Sequence, residues 1–500
     1  MKIGLYDFEI VINRIKDKVT YEGISLINPN KFIMYVLGNR KSLTQNWMAF
    51  KFAYFYRLHA ISRWRQQDIK SLGYDGVFLE PIHGFKWIYD GATPVKIYEH
   101  EYMYPIEKAL ESEMGLNLLK LTYYLPNFNK PYQEASKLKK VLRMGRIPFG
   151  AYFKQSFSRE EHKYNMNKFD ISRPVKDYLI NVAFPESVRW YLMWRRILRT
   201  HKPNFLFLEY EYGPLEYMGI VASKKEGIPS IAIQHGVISP THPGYYHIPS
   251  NVSYEEDDYI NYVLPTITLV QGEYEKRILL KHGYPRKAVK VTGQPRYDFL
   301  AYSDEIFDRD EILEKYGLPR NKRYILWATQ THGLSREENL KNIKVISQAL
   351  NSLKDEYHLL IKLHPNEDQR APLYRKFLKN KEFVTIMPGE TNVYELLYVS
   401  DALITKHSTV GIESIIMNRP ILLTNTMGDS KALSMYTEYG FRWIITRKED
   451  LVSYLNELET GELLDEFEKR RKIFLKDRIC CLGSATKNVI KVIEKLGGKG

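Results

Sequence analysis

Residues 399–424 read VSDALITKHSTVGIESIIMNRPILLT, and the pattern runs strand, polar turn, helix, strand. Ala402-Leu403-Ile404-Thr405 is a short apolar run of the kind a buried parallel strand shows. Lys406-His407-Ser408-Thr409 is a polar turn with two hydroxyls, and Gly411 lets backbone come close to a neighbour. The spacing predicts a helix over 410–417, with Ser408 or Thr409 as N-cap and Glu413 one turn in. Residues 420–423 resume as a buried strand. Free N–H groups and flanking hydroxyls at the carboxyl end of a parallel strand make a ready anion site, suited to the diphosphate of a nucleotide-activated donor. An ordinary capped turn has the same local pattern, so the rest of the chain must decide.

Working outward, the same alternation recurs. Strands are expected at 324–328, 358–363, 383–386, 402–405 and 421–423. Helices fall near 336–353, 371–378, 393–399, 410–417 and 448–458, with an amphipathic helical tail over 466–495. Upstream, a helix over 189–199 leads to a strand at 205–208. A helix over 214–226 closes on Gly227, and a strand over 229–233 runs into Gln234-His235-Gly236. A strand at 266–270, a helix at 273–282 and a strand at 289–292 complete that series. Residues 300–321, charged and punctuated by Gly317 and Pro319, read as a linker. The expectation is an α/β chain with two Rossmann-like, doubly wound domains, 1–305 and 320–500, facing a cleft. The first 200 residues carry less pattern: strands are expected at 31–37 and 76–80, a basic-aromatic segment over 47–64, and mixed helical sequence over 101–142. His83, beside a glycine at a strand end, could face a cleft. Met1-Lys2-Ile3-Gly4 leads directly into a short strand-like run that soon meets Asp7 and Glu9.

Five hundred residues exceed one core and suggest two or three domains. A composition 44% hydrophobic and 26% charged is that of a globular protein. No apolar run approaches the roughly 18–20 residues of a membrane span, and no signal-peptide pattern opens the sequence, so a cytoplasmic location is expected. Cys480 and Cys481 are the only cysteines and are adjacent. Neighbouring cysteines rarely bridge, which points to reduced thiols and argues against a structural zinc site. The net charge of +14 is compatible with nucleic acid, an anionic membrane surface or phosphorylated substrates. Helix-turn-helix, zinc-finger and aromatic RNP signals are missing, so no specific nucleic-acid partner is expected. Thirty-eight tyrosines and runs such as Lys51-Phe52-Ala53-Tyr54-Phe55-Tyr56-Arg57 suit a surface resting on lipid headgroups, at the inner face of a membrane. A Tyr- and Lys-rich, heat-adapted composition would give the same numbers.

Four polar clusters follow predicted strands: Gln234-His235-Gly236, Thr329-Gln330-Thr331-His332, Lys362-Leu363-His364-Pro365 and Lys406-His407-Ser408-Thr409. His235, His332, His364 and His407 all follow buried strands, where chemistry in open parallel sheets sits. Imidazole can donate to phosphate oxygens or act as a base near neutral pH. Lys362 and Lys406 add positive charge for a diphosphate leaving group. Histidines that merely cap strand-end carbonyls would occupy similar places. Glu209 and Glu211 end another predicted strand.

Residues from about 200 to 495 resemble the two-domain nucleotide-sugar superfamily of UDP-N-acetylglucosamine 2-epimerases and many glycosyltransferases, the GT-B fold. The resemblance rests on IPSIAIQHGV (228–237), KVTGQPRYD (290–298), KLHPN (362–366), residues 400–420 and CLGSATKNV (481–489). GQPRYD, LLIKLHP and VSDALIT are also similar to CDP-glycerol glycerophosphotransferases. Bacterial capsule-synthesis transferases and sialyltransferases likewise pair a His-Pro turn with a Ser/Thr turn. The resemblance implies that His364, Ser408 and Thr409 bind phosphate, with Lys406, His407 and Gly411 in the same turn. It places Glu413 at the ribose; Thr331 and His332 are candidates for ribose or base.

Departures narrow the function. Gln234 stands where the epimerases carry a glutamate, and a primary amide cannot be that base. Lys406-His407 replaces Thr-Asp or Asp-Tyr of the relatives, and Tyr212 interrupts the acidic pair that some sialyltransferases show. The expected protein is a metal-independent GT-B-type transferase moving a sugar from a nucleotide-activated donor to a surface-glycan or lipid-linked acceptor. His235, Glu211 or Glu209 would take the acceptor proton. No Asp-x-Asp metal motif is placed in the cleft, and no cofactor is expected beyond the donor itself. The alternatives are a polyol-phosphate transferase of the CDP-glycerol type, an epimerase, and a non-catalytic nucleotide-binding scaffold.

Overall fold

The computed structural model describes residues 4–38, 73–124 apart from 83–85, 91 and 98–101, residue 176, and 178–497 apart from 256, 331–333, 365–370, 379–381 and 430–432. Two compact units result: 1–86, 97–295 and 484–500 form the first, and 87–96 with 296–483 form the second.

The first unit is built on strands β1 (Gly76–Ile82), β2 (Leu118–Tyr124), β3 (Phe205–Leu208), β4 (Ser230–Ile233), β5 (Ile267–Val270) and β6 (Val289–Val291). They lie in the order β6-β5-β4-β3-β1-β2, every pair parallel. Both faces are covered, which is why Phe205-Leu206-Phe207-Leu208 is apolar at every position. Leu206 and Leu208 point into one core with the Phe184–His201 and Pro214–Lys225 helices. Phe205 and Phe207 point into the other, where Val489 and Ile493 of the final helix pack.

The second unit repeats the plan with β7 (Arg323–Ala328), β8 (Tyr357–Lys362), β9 (Val384–Met387), β10 (Ala402–Thr405), β11 (Ile421–Thr424) and β12 (Ile444–Ile445). Its order is β9-β8-β7-β10-β11-β12, again all parallel. The direction of winding reverses between β7 and β10. Crevices at such switch points are where open parallel sheets bind ligands.

Several expectations are corrected. Residues 31–37 form a helix, Lys31–Gly38, not a strand. Ile33, Met34 and Leu37 are buried at helical spacing, a period too short to see in an unbroken apolar run. The first described element is a helix, Leu5–Ile15, not the expected strand-like run, and it buries Phe8, Ile12 and Ile15. Residues 300–321 are not a linker: Leu300, Phe307, Ile312 and Leu313 are buried in the second unit, and Asp308 caps a helix by accepting from Glu311 N. The expected bounds 1–305 and 320–500 give way to a division at Pro295/Arg296, with 87–96 joining the second unit and 484–500 the first. The tail is two helices, Glu462–Arg478 and Ala485–Gly497, separated by a turn in which Cys481 and Gly483 adopt left-handed backbone. That turn brings Cys480 and Cys481 together as a vicinal disulfide, where separate thiols were expected. A hairpin, Lys86–Asp90 and Thr93–Ile97, places Tyr89 in the second unit, stacked on Phe299 and receiving a hydrogen bond from Asn392. His83 and the 47–64 segment lie outside the described residues.

Candidate functional site

In the second unit, β7, β8 and β10 end side by side, and one side chain ties the ends together. Gln330, just past β7, accepts from the backbone N–H of Lys406 at 3.0 Å and of His407 at 3.3 Å. Thr405 Oγ1 donates to the same oxygen at 3.3 Å. The turn after β10 is therefore held from the neighbouring strand, across the switch point. Gln330 Nε2 lies 3.3 Å from His407 Nδ1. An amide nitrogen can only donate, so Nδ1 accepts and the proton of neutral His407 sits on Nε2. Burial lowers the His407 pKa, which keeps the ring neutral at pH 7. One strand over, His364 N donates to Thr329 Oγ1 at 2.9 Å, tying the segment after β8 to the one after β7.

Ser408 and Thr409 are half-buried at the head of the Val410–Ile416 helix. They were expected to cap it, but no side-chain cap bond forms; Ser408 Oγ takes only a long 3.4 Å contact from Val410 N. The two hydroxyls are thus left largely uncommitted by the local fold. The turn is closed by Tyr436, whose hydroxyl donates to Ser408 O at 2.6 Å. A Cβ on Gly411 would lie 2.2 Å from that hydroxyl oxygen. Gly411 is needed to admit Tyr436, a role different from letting backbone approach a ligand.

Three charged candidates are engaged within the protein. Lys406 is buried and its ammonium pairs with Glu338 at 2.7 Å, so it supports the turn from beneath instead of presenting a charge to a phosphate. Glu413 is buried and ion-paired with Arg296, whose guanidinium also lies over Tyr297. Lys362 donates to the carbonyl of Gly389 at 2.9 Å. Thr331 and His332 lie outside the described residues. The individual roles of Gln330, Glu338, Arg296 and Tyr436 escaped the sequence reading. The only available signal was Gln330's place directly after a buried central strand.

In the first unit, His235 follows β4, half-buried, with its ring 5.0 Å from that of Tyr210. Gln234 is structural: its side chain accepts from Gln271 N at 3.0 Å and donates to Gly236 O at 2.7 Å. Glu209 and Glu211 are fully buried. Glu211 accepts from Thr268 Oγ1 at 3.0 Å and from Tyr284, below a layer of tyrosines and His247. Burial pushes its pKa up to about 7 against those two hydrogen bonds. A carboxyl so enclosed is a core group, and the proposed use of Glu211 as a base reaching an acceptor has no support from this geometry.

A family model described as CDP-glycerol:poly(glycerophosphate) glycerophosphotransferase matches residues 214–495. The processive diacylglycerol beta-glucosyltransferase of Bacillus pumilus is 28% identical over 208 residues, 41% of this chain and 52% of that protein. The teichoic acid poly(ribitol-phosphate) polymerase of Bacillus spizizenii is 30% identical over 139 residues, 27% of this chain and 22% of that protein. The chain thus spans about half the length of the first relative and about a fifth of the second. Among solved structures, the putative UDP-N-acetylglucosamine 2-epimerase of Listeria monocytogenes aligns with a TM-score of 0.52 at 14% identity, covering 86% of this chain and 98% of that one. The Neisseria meningitidis UDP-GlcNAc 2-epimerase bound to UDP-GlcNAc aligns with a TM-score of 0.50 at 16% identity, covering 84% and 99%. These likenesses carry the two-domain GT-B fold.

Proposed function

The chain belongs to the CDP-glycerol:poly(glycerophosphate) glycerophosphotransferase family, and from that premise we propose that it transfers a group from a nucleotide-activated donor to a glycan or polyol-phosphate acceptor. The observation that carries the reading is the turn 406–409, held by Gln330 across the switch point of the second sheet with two hydroxyls left over. In this reading Ser408, Thr409, His364 and the Nε2–H of His407 donate to the donor's phosphates as negative charge develops on the leaving nucleotide. Glu413, which the resemblance implied at the ribose, is buried in an ion pair with Arg296 and is left out of this reading. His235 of the first unit is the acceptor-side base.

For polyol-phosphate transfer, the acceptor oxygen attacks the distal phosphorus of the donor. The bond from that phosphorus to the bridging oxygen breaks, a nucleoside monophosphate leaves, and the hydroxyl proton passes to the base. The family supports this version, and it moves ahead of sugar transfer, which the sequence alone had favoured. Sugar transfer is the second reading, supported by the similarity to the glucosyltransferase; it would release a nucleoside diphosphate. Epimerisation is disfavoured because the amide of Gln234 is no base and is consumed by backbone contacts. Among the described residues no helix is long and apolar enough to cross a membrane. A lipid-linked acceptor at the cytoplasmic face belongs to the same proposal.

The test is a thermal-shift panel of UDP, CDP, CMP, GDP and their sugar or glycerol conjugates, followed by identification of the released nucleotide. Selective stabilisation by CDP-glycerol with release of CMP is the expected result. Release of a nucleoside diphosphate would move the assignment to sugar transfer, and no shift with any nucleotide in a folded sample would overturn both.

A further inference from the structure

The first unit holds a cavity of about 500 Å3 beside β6, the edge strand of its sheet. Its walls are β6 itself, the Glu273–Lys281 helix and the Ala485–Gly497 helix. Asn488 of that last helix donates to Thr292 O at 3.4 Å, joining two walls at one end. Lys276, Arg286, Lys290, Lys491 and Lys495 line the space, against the single acid Glu273. Glu273 stands 3.9 Å from Lys276. Among the described residues Arg286, Lys290, Lys491 and Lys495 have no carboxylate partner.

Lys491 and Lys495 are one turn apart on a helix whose Val489 and Ile493 are fixed in the core, so their charges are presented as a row. Like charges gathered at a concavity repel one another and focus a positive potential outward, an arrangement relieved by a bound anion. Lysine on an edge strand also discourages pairing with another chain. That accounts for Lys290, but not for Arg286 in a turn or for two lysines on a helix. A bilayer is a poor match, because none of the large exposed apolar side chains, such as Tyr6, Met114 or Tyr302, lines the cavity.

We infer that this cavity is a second anion site that takes a stretch of phosphodiester polymer, several phosphates in a row. Only the choice of polymer rests on the function proposed above; the site itself rests on charge and shape. It would retain a polyanionic acceptor or product independently of the nucleotide site.

The experiment titrates the full-length protein with a short synthetic oligo(glycerol phosphate) and, in parallel arms, with inorganic phosphate and with vesicles containing phosphatidylglycerol. The variant is Lys290→Glu/Lys491→Glu/Lys495→Glu, three exposed positions, with folding checked by its melting curve. Expected is a loss of at least tenfold in oligomer affinity. The dependence of log K on log salt should flatten by about 2, from the roughly 0.7 per phosphate contact that flexible polyanions lose. Nucleotide-induced thermal shifts should be unchanged. Equal oligomer affinity and salt slope in the variant would overturn the inference, as would binding confined to vesicles. Self-association of the variant with unaltered anion binding would reduce the lysines to edge protection and overturn it too. A protein that binds the oligomer here but no nucleotide would sink the proposed function and leave this site standing.

Discussion

The carboxyl ends of the two six-stranded sheets carry similar residues and use them oppositely. In the first unit the acids turn inward: Glu209 and Glu211 are fully buried, and Gln234 braces its own loop. In the second unit the charged pair Lys406–Glu338 lies beneath the surface and supports a turn whose hydroxyls stay available. One end is a polar core, the other a scaffolded site. Fold alone does not distinguish them, because both sheets wind in parallel with buried strands; the difference lies in which polar group is satisfied from within.

The largest effect should come from breaking the support. Replacing Lys406 with Met leaves Glu338 buried without its partner and is expected to destabilise the second unit by about 3–5 kcal/mol. Lys406→Met combined with Glu338→Leu should recover most of that stability. Nucleotide affinity should stay low in the double variant if the pair also sets the turn. Denaturant melts and nucleotide titrations of the three proteins check it. Full recovery of binding would show the pair to be a stability element only.

The first unit should respond to pH. The Glu211 pKa is raised by burial to about 7 from an ordinary 4.5, so the stability it lends is complete below 4.5 and is lost as pH rises through 7. The upper bound is about 3 kcal/mol. His247 and His242 act on the other limb: burial lowers both, His242 to about 4, so their contribution is lost as pH falls below the ordinary 6.5. Glu211→Gln keeps the shape and removes only the upper limb. Its melting temperature should exceed that of the wild type increasingly between pH 5 and 8. Parallel curves would mean Glu211 does not titrate in the core.

A smaller effect, about 2 kcal/mol, is expected for Gln330→Ala, which deprives two backbone donors of their acceptor. Nucleotide affinity should fall with it, whereas Gln234→Ala, the counterpart in the first unit, should leave nucleotide affinity intact. Equal losses in both variants would erase the contrast between the two sheet ends.

The same contrast explains what was legible in the sequence. Strand ends were readable because buried parallel strands are unbroken apolar runs that stop at polar residues, as at Leu208, Ile233 and Thr405. The four histidine-bearing clusters were picked out that way, His332 among them lying outside the described residues, and the family resemblance drew on the same turns. What the sequence hid was direction and partnership. Glu211 and Lys406 look alike as charged residues after strands, but whether each faces solvent or core depends on Tyr284, Thr268 and Glu338, which lie 57 to 73 residues away. Gly411 announced a close approach without naming Tyr436, 25 positions on, as the group approaching. The helix over 31–38 was misread because an all-apolar run has no period to betray its geometry.

The smallest effect on stability, and the sharpest for function, concerns His235. Its ring is half-buried beside Tyr210 and follows β4, one residue past a glutamine fully used by the fold. Truncating it to Ala removes its ring contacts with Tyr210 and Tyr212, so stability should change by about 1 kcal/mol. His235, half-buried just after β4, is the residue proposed to take the acceptor proton. His235→Ala should therefore lower kcat by about 100-fold or more while leaving nucleotide affinity near wild type, since the donor groups proposed belong to the second unit. His364→Ala should do the reverse, weakening the nucleotide first. If His235→Ala spares both turnover and nucleotide binding, the first sheet's end is a polar core throughout, and the acceptor-side base must be sought elsewhere.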